Sequence, residues 1–137
     1  MASTAIDAVH EHLAAINSKR RDRFAETITY PFFHIEPNGE KVIYASKKAV
    51  PDMSAMPFAR AQIVKDELVA TSGQLQVYFL HFQRYDENDD PTILAQALWG
   101  VGEARGEWKI GWRQYLGEIG ATTHPSLLAP LASEPQT

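Results

Sequence analysis

The sequence predicts a single α+β domain, in which N-terminal helices are followed by a curved antiparallel sheet able to wrap around them. Three observations predict it. Apolar residues recur at helical spacing only near the N-terminus, and four long β-prone segments joined by short turns fill the second half. Gly100, Gly102 and Gly111 stand inside those segments, where glycine marks a bulge or a bend.

From Thr4 to Asn17, Ile6, Val9, Leu13 and Ile16 fall on one stripe of a first helix. Ser3 or Thr4 caps its start, and Asp7 sits where the helix dipole favours a carboxylate. After the polar break Ser18-Lys19-Arg20-Arg21, residues Phe24, Ala25 and Ile28 suggest a shorter helix that ends before Pro31. Phe32-Phe33-His34-Ile35 and Lys41-Val42-Ile43-Tyr44 flank an Asn38-Gly39 step, a strong hairpin signal. Pro51 suits a first helical turn, so a short helix is expected from about Val50. Strands are expected over 60–70, 75–86, 93–104 and 108–119. Their connectors are too short for parallel crossovers, which makes them an antiparallel meander. The domain is expected to span residues 1–120, with 121–137, rich in proline and small residues, as a loosely held tail.

Composition narrows the function. A net charge of -4 with intermixed signs offers no basic stripe for phosphates, so nucleic acid is not an expected partner. No cysteine is present, which excludes disulfides and thiolate chemistry. No apolar run approaches a membrane span and the N-terminus has no signal-like pattern, so a cytoplasmic protein is expected.

The order of elements resembles the nuclear transport factor 2-like (cystatin-like) superfamily from about Ile6 to Ile119. The Ala14-Ala15-Ile16-Asn17 helix end, the Tyr30-Pro31 step and Trp108-Lys109-Ile110 support the likeness. This likeness implies a cone-shaped domain, its curved sheet wrapped around the N-terminal helices with an internal pocket, and within the superfamily the chain is similar to the ketosteroid isomerases and SnoaL-like cyclases. That resemblance implies His12 at the position of an oxyanion-hole donor and Glu36, followed by Pro37, at the position of the general base. The isomerases' second oxyanion donor, a protonated aspartic acid, falls near Leu98, which has no donor.

Alternation along the strand puts Phe32, His34 and Glu36 on one face. His34 titrates near neutrality and is the first polar residue expected in a site. Trp99 shares a face with Ala95, Ala97 and Val101, and Trp108, Ile110, Trp112 and Gln114 share one on the last strand. Small residues beside tryptophans suit an apolar cavity with Gln114 as an orienting group. The expected catalytic residues are therefore His34, Glu36 and His12. Those expected to bind substrate are Trp99, Trp112, Gln114, Tyr30 and Phe32, with Asp52 and Tyr44 in support. His81 and Arg84 lie on opposite faces of their strand, so at most one belongs to the site. No metal site or cofactor is expected: His10 and His12 point apart on a helix, and Asp86–Asp90 lacks calcium-loop spacing. The expected function is acid/base isomerase, lyase or cyclase chemistry on a small apolar carbonyl compound, the alternative being a non-catalytic binding or dimerisation module. Large residues on both sheet faces, with Arg113 and Tyr115 opposite Trp112, suggest a homodimer through the outer face.

Overall fold

In the computed structural model, which describes residues 2–54 and 56–119, helices α1 (Ala5–Ser18) and α2 (Arg21–Glu26) precede six strands. These are β1 (Ile28–Ile35), β2 (Lys41–Tyr44), β3 (Arg60–Ser72), β4 (Leu75–Tyr85), β5 (Pro91–Ala104) and β6 (Glu107–Glu118). They form one curved, unclosed sheet in the order β2-β1-β6-β5-β4-β3. The expected tail, 121–137, lies outside the described residues.

Helix α1 starts where Thr4 accepts the Asp7 N–H at 3.2 Å, the expected cap. Its stripe of Val9, His12, Leu13 and Ile16 is buried against the concave face of the sheet. At its end the Asn17 amide makes two 2.8 Å bonds to the Ala61 backbone, donating to the carbonyl and accepting from the N–H. The amide's oxygen and nitrogen are thereby both matched, and α1 is locked to the start of β3.

The second helix is shorter than its sequence suggested, because Ile28 already belongs to β1 and is buried in the core. The hairpin holds as expected: Phe32 pairs with Tyr44 and Ile35 with Lys41, around a turn where Gly39 takes a φ of 90° open to glycine. The short helix near Val50 is a single 3₁₀ turn over Lys47–Ala49, before Val50 rather than after it. Strand β3 is the longest departure at its end, reaching Ser72.

The meander of β3 to β6 is antiparallel throughout, but β1 joins β6 in parallel, which makes the whole sheet mixed. This parallel pairing places His34 beside Arg113. A register shift on β6 is decisive for the site. Gly100 pairs with Trp112 while Val101 pairs with Ile110, so Gly111 is an extra, unpaired residue. Beyond it the facing of β6 reverses: Ile110 is in the core, yet Arg113 and Tyr115 take the concave side and Trp112 and Gln114 the convex side. Trp112 lies over Gly100, where an added Cβ would run into the indole ring. That close approach requires glycine at this position.

Candidate functional site

A cavity of about 530 Å³ opens between α1, the concave side of the sheet and the segment before β3. Its wall is mainly apolar: Leu13 and Ile16 from α1, Ala95, Ala97 and Trp99 from β5, and Phe82 from β4. Met53, Met56 and Phe58 roof it. The polar break after α1 holds that roof in place. Lys19 Nζ donates to the Phe58 carbonyl at 2.6 Å, and Arg21 donates to the carbonyls of Val50 and Lys47. The helix junction thus positions a loop far along the chain.

His34, Glu36, Arg84 and Arg113 line this cavity, together with Tyr44 and Tyr115. His34 Nε2 stands 3.0 Å from Glu36 Oε1. A carboxylate can only accept, so Nε2 carries the proton and donates, leaving Nδ1 as the bare nitrogen. Nδ1 is buried without a partner. Burial, then the Arg113 charge, lowers the His34 pKa below 6.5 against the opposing pull of Glu36, which keeps the ring neutral at neutral pH.

Arg113 is held from behind. Its Nη1 donates to His12 Nε2 at 3.2 Å, and its guanidinium carbon lies 5.4 Å from the Phe24 ring centroid and 5.2 Å from that of Phe32. Burial pushes its pKa down to about 10, so the cation persists at neutral pH. Nε is buried with no partner.

His12 is completely buried. Because Nε2 accepts from Arg113, Nδ1 carries the proton and donates to Thr27 Oγ1 at 2.7 Å, and the Thr27 hydroxyl donates to the Phe24 carbonyl at 2.8 Å. Burial first, then the Arg113 and His34 charges, holds its pKa well below 6.5. Both nitrogens are committed, so His12 has no free N–H to aim at a ligand. The geometry places it one layer behind Arg113.

Of the residues expected from sequence, His34, Glu36 and Trp99 line the cavity, as do the supporting residues Tyr44 and Asp52. The others do not. Phe32 is fully buried and stacks on Tyr44 at 5.7 Å, and the Tyr30 hydroxyl donates to the Ala25 carbonyl at 2.8 Å. Trp112 and Gln114 are turned to the convex face by the extra residue Gly111, and Arg113 and Tyr115 take the positions expected of them. Gly111 itself was the available signal, since a glycine inside a strand warns that alternation breaks there. Arg84 lines the cavity, while His81 packs on Phe79 with ring centroids 4.9 Å apart. Among the described residues, no cluster of three or more His, Asp or Glu side chains could hold a metal ion, and no helix is long and apolar enough to cross a membrane.

No family model matches the sequence, and no curated protein matches it. Solved structures do. A candidate ketosteroid isomerase from Shewanella frigidimarina superposes with a TM-score of 0.65 at 15% identity, covering 83% of this chain and 94% of that one. A nuclear transport factor 2-like protein of unknown function from Prochlorococcus gives 0.60 at 15% identity, over 84% and 96%. The chain has the nuclear transport factor 2-like fold. A candidate calcium/calmodulin-dependent kinase II association domain from Thiobacillus denitrificans, at 0.67 and 13% identity over 82% and 93%, shares this cystatin-like architecture. At these identities the likeness concerns the fold, and function rests on the cavity.

Proposed function

We propose that the chain is a cofactor-independent acid/base enzyme, an isomerase, lyase or cyclase, acting on a small, largely apolar carbonyl compound bound in the cavity. One observation carries the reading: a carboxylate–imidazole pair and a buried guanidinium line the same apolar-walled space. Glu36 is the base. It takes a proton from the carbon next to the carbonyl: the C–H bond breaks, an O–H bond forms on Glu36, and the electron pair moves onto the carbonyl oxygen. An N–H of Arg113 stabilises that oxyanion, the donor role first expected of His12. Return of the proton to a different carbon completes an isomerisation. The His34 Nε2–H orients the carboxylate, His12 orients Arg113, and Trp99 with its alanine neighbours supplies the apolar wall.

The non-catalytic binding module is not favoured. Apolar binding alone gains nothing from a partly desolvated carboxylate–imidazole pair beside a buried cation, both of which cost free energy to keep in the fold. The proposed domain spans residues 1–120, cytoplasmic and homodimeric through the convex sheet face.

The test is deuterium exchange at the α-carbon of small ketones, acetophenone and 2-acetylnaphthalene, followed by NMR in D₂O. Glu36→Gln and Arg113→Met are each expected to slow enzyme-dependent exchange by about 100-fold or more. Exchange in Glu36→Gln as fast as in the unaltered chain would remove the base and the proposal with it.

A further inference from the structure

The polar groups of the cavity do not balance one another. Its two carboxylates are both engaged: Glu36 accepts from His34, and Asp52 accepts from the backbone N–H and hydroxyl of Ser54 at 3.1 and 2.8 Å. Its two guanidiniums keep donors to spare. Arg113 has a buried, unpartnered Nε, and the half-buried Arg84 guanidinium, in contact with two rings, makes no side-chain hydrogen bond or ion pair among the described residues. The bare His34 Nδ1 is a spare acceptor on the strand beside Arg113, whereas the described contacts of the Arg84 guanidinium are with rings only.

Arg84 is nevertheless held in position. Its guanidinium carbon lies 4.8 Å from the Phe58 ring centroid and 5.4 Å from that of Tyr115. Its backbone carbonyl accepts from the Gln83 amide at 3.1 Å and from the Thr92 hydroxyl at 3.3 Å. Ring contacts take up the faces of a guanidinium and leave the N–H groups, which point outward in its plane, for an acceptor. A guanidinium fork so presented matches a carboxylate bidentately.

The two guanidiniums also stand apart. Trp99 pairs with Arg113 on one side and Tyr78 on the other, so Arg84 lies two strands away from Arg113 and six residues beyond Tyr78 on β4. Between them lie Ala95, Ala97, Phe82 and Trp99, an apolar floor with room above the alanines.

We propose that the substrate is a keto acid with a ring-sized apolar body, its carbonyl directed to Arg113 and its carboxylate bound by Arg84. This rests on the acid/base reading above for the carbonyl end, whereas the carboxylate end stands on Arg84 alone. Arg84 is the specificity-determining residue, and it lies outside the proton transfer.

Matched probes test it. Affinities of 4-acetylbenzoate and 6-acetyl-2-naphthoate are compared with those of acetophenone and 2-acetylnaphthalene by titration calorimetry at neutral pH. The acids are expected to bind about tenfold or more tightly than their neutral counterparts, the contribution of a charge-assisted pair in a partly desolvated site. Arg84→Gln is expected to bring the acids down to the neutral ketones, and Arg84→Lys to recover part of the difference. Glu36→Gln keeps the preference for acids while losing exchange, which separates the two proposals. Failure of exchange in every variant with the acid preference intact would sink the enzymatic reading and leave the Arg84 site standing. Equal binding of acids and neutral ketones, absence of binding by both, or an acid preference that survives Arg84→Gln overturns the Arg84 proposal.

Discussion

At His12 a side chain that titrates near neutral pH in water is sealed inside the core, committed at Nδ1 to Thr27 and at Nε2 to Arg113. Its neutral form is the only one that fits, because a second proton would put an N–H against the Arg113 N–H. This has a measurable consequence for stability. The folded-state pKa of His12 lies well below 6.5 and that of His34 is also lowered from 6.5, so on acidification the unfolded chain takes up these protons first. Stability is therefore fully present above about pH 6.5 and is lost as the pH falls from there toward the folded-state values. Each tenfold difference in proton affinity between the unfolded and folded chains is worth about 1.4 kcal/mol. Asp22, Glu26 and Asp52, whose pKa values are lowered, act with the same sign but only below their own ordinary values of 3.8 to 4.5. The urea midpoint is expected to fall between pH 7 and pH 5, and His12→Gln, which cannot take a proton, is expected to flatten that fall. An unchanged slope in His12→Gln would show that the ring is not held neutral in the fold.

Elements are positioned by a few exact contacts, and these divide what the sequence made legible from what it did not. Helix α1, the hairpin and the four long strands followed from periodicity and turn chemistry, since each depends on residues close in sequence. The concave placement of Trp99, His34 and Glu36 followed from alternation over 95–101 and 32–36, stretches that lie beyond the register shifts earlier on β5 and β1. The placement of Arg113 did not, because one extra residue at Gly111 inverts the facing from Trp112 to Tyr115, until a second extra residue at Leu116 restores it. Nor did the roles of Lys19 and Arg21, whose partners Phe58, Val50 and Lys47 are neighbours only in the fold. The Asn17 lock and the Gly100 contact can each be measured. Asn17→Ala removes both bonds to the Ala61 backbone and is expected to cost about 1–3 kcal/mol in urea unfolding. Gly100→Ala drives a methyl into the Trp112 indole and is expected to cost a similar amount, of order 1–3 kcal/mol. If the clash is the cause, that cost shrinks in a Trp112→Ala background, and a double-mutant cycle that is strictly additive would refute it.

For the whole molecule, the same bulge that directs Arg113 into the cavity fills the convex face with side chains that a monomer leaves in water. By register Phe79, Leu98 and Gln114 stand side by side on β4, β5 and β6, with Trp112 over Gly100 one step away. All four large side chains are only partly buried within one chain. Two such faces meeting about a two-fold axis would bring Phe79, Leu98 and Trp112 into contact across the centre, where apolar burial counts most. A standard interface of about 800 Å² per partner is within reach of a three-strand face. The exposed apolar residues of β3, Val64, Leu68 and Val69, compete poorly for this role. Val64 and Val69 are extra residues at bulges, which twist that sheet edge and disfavour flat pairing. Sedimentation equilibrium at micromolar concentration is therefore expected to return twice the 15.3 kDa chain mass. Leu98→Asp, with a charge at the centre of the proposed contact, is expected to return a single chain mass with an unchanged far-ultraviolet spectrum. A monomeric unaltered chain, or a Leu98→Asp variant that remains a dimer, would place the contact elsewhere.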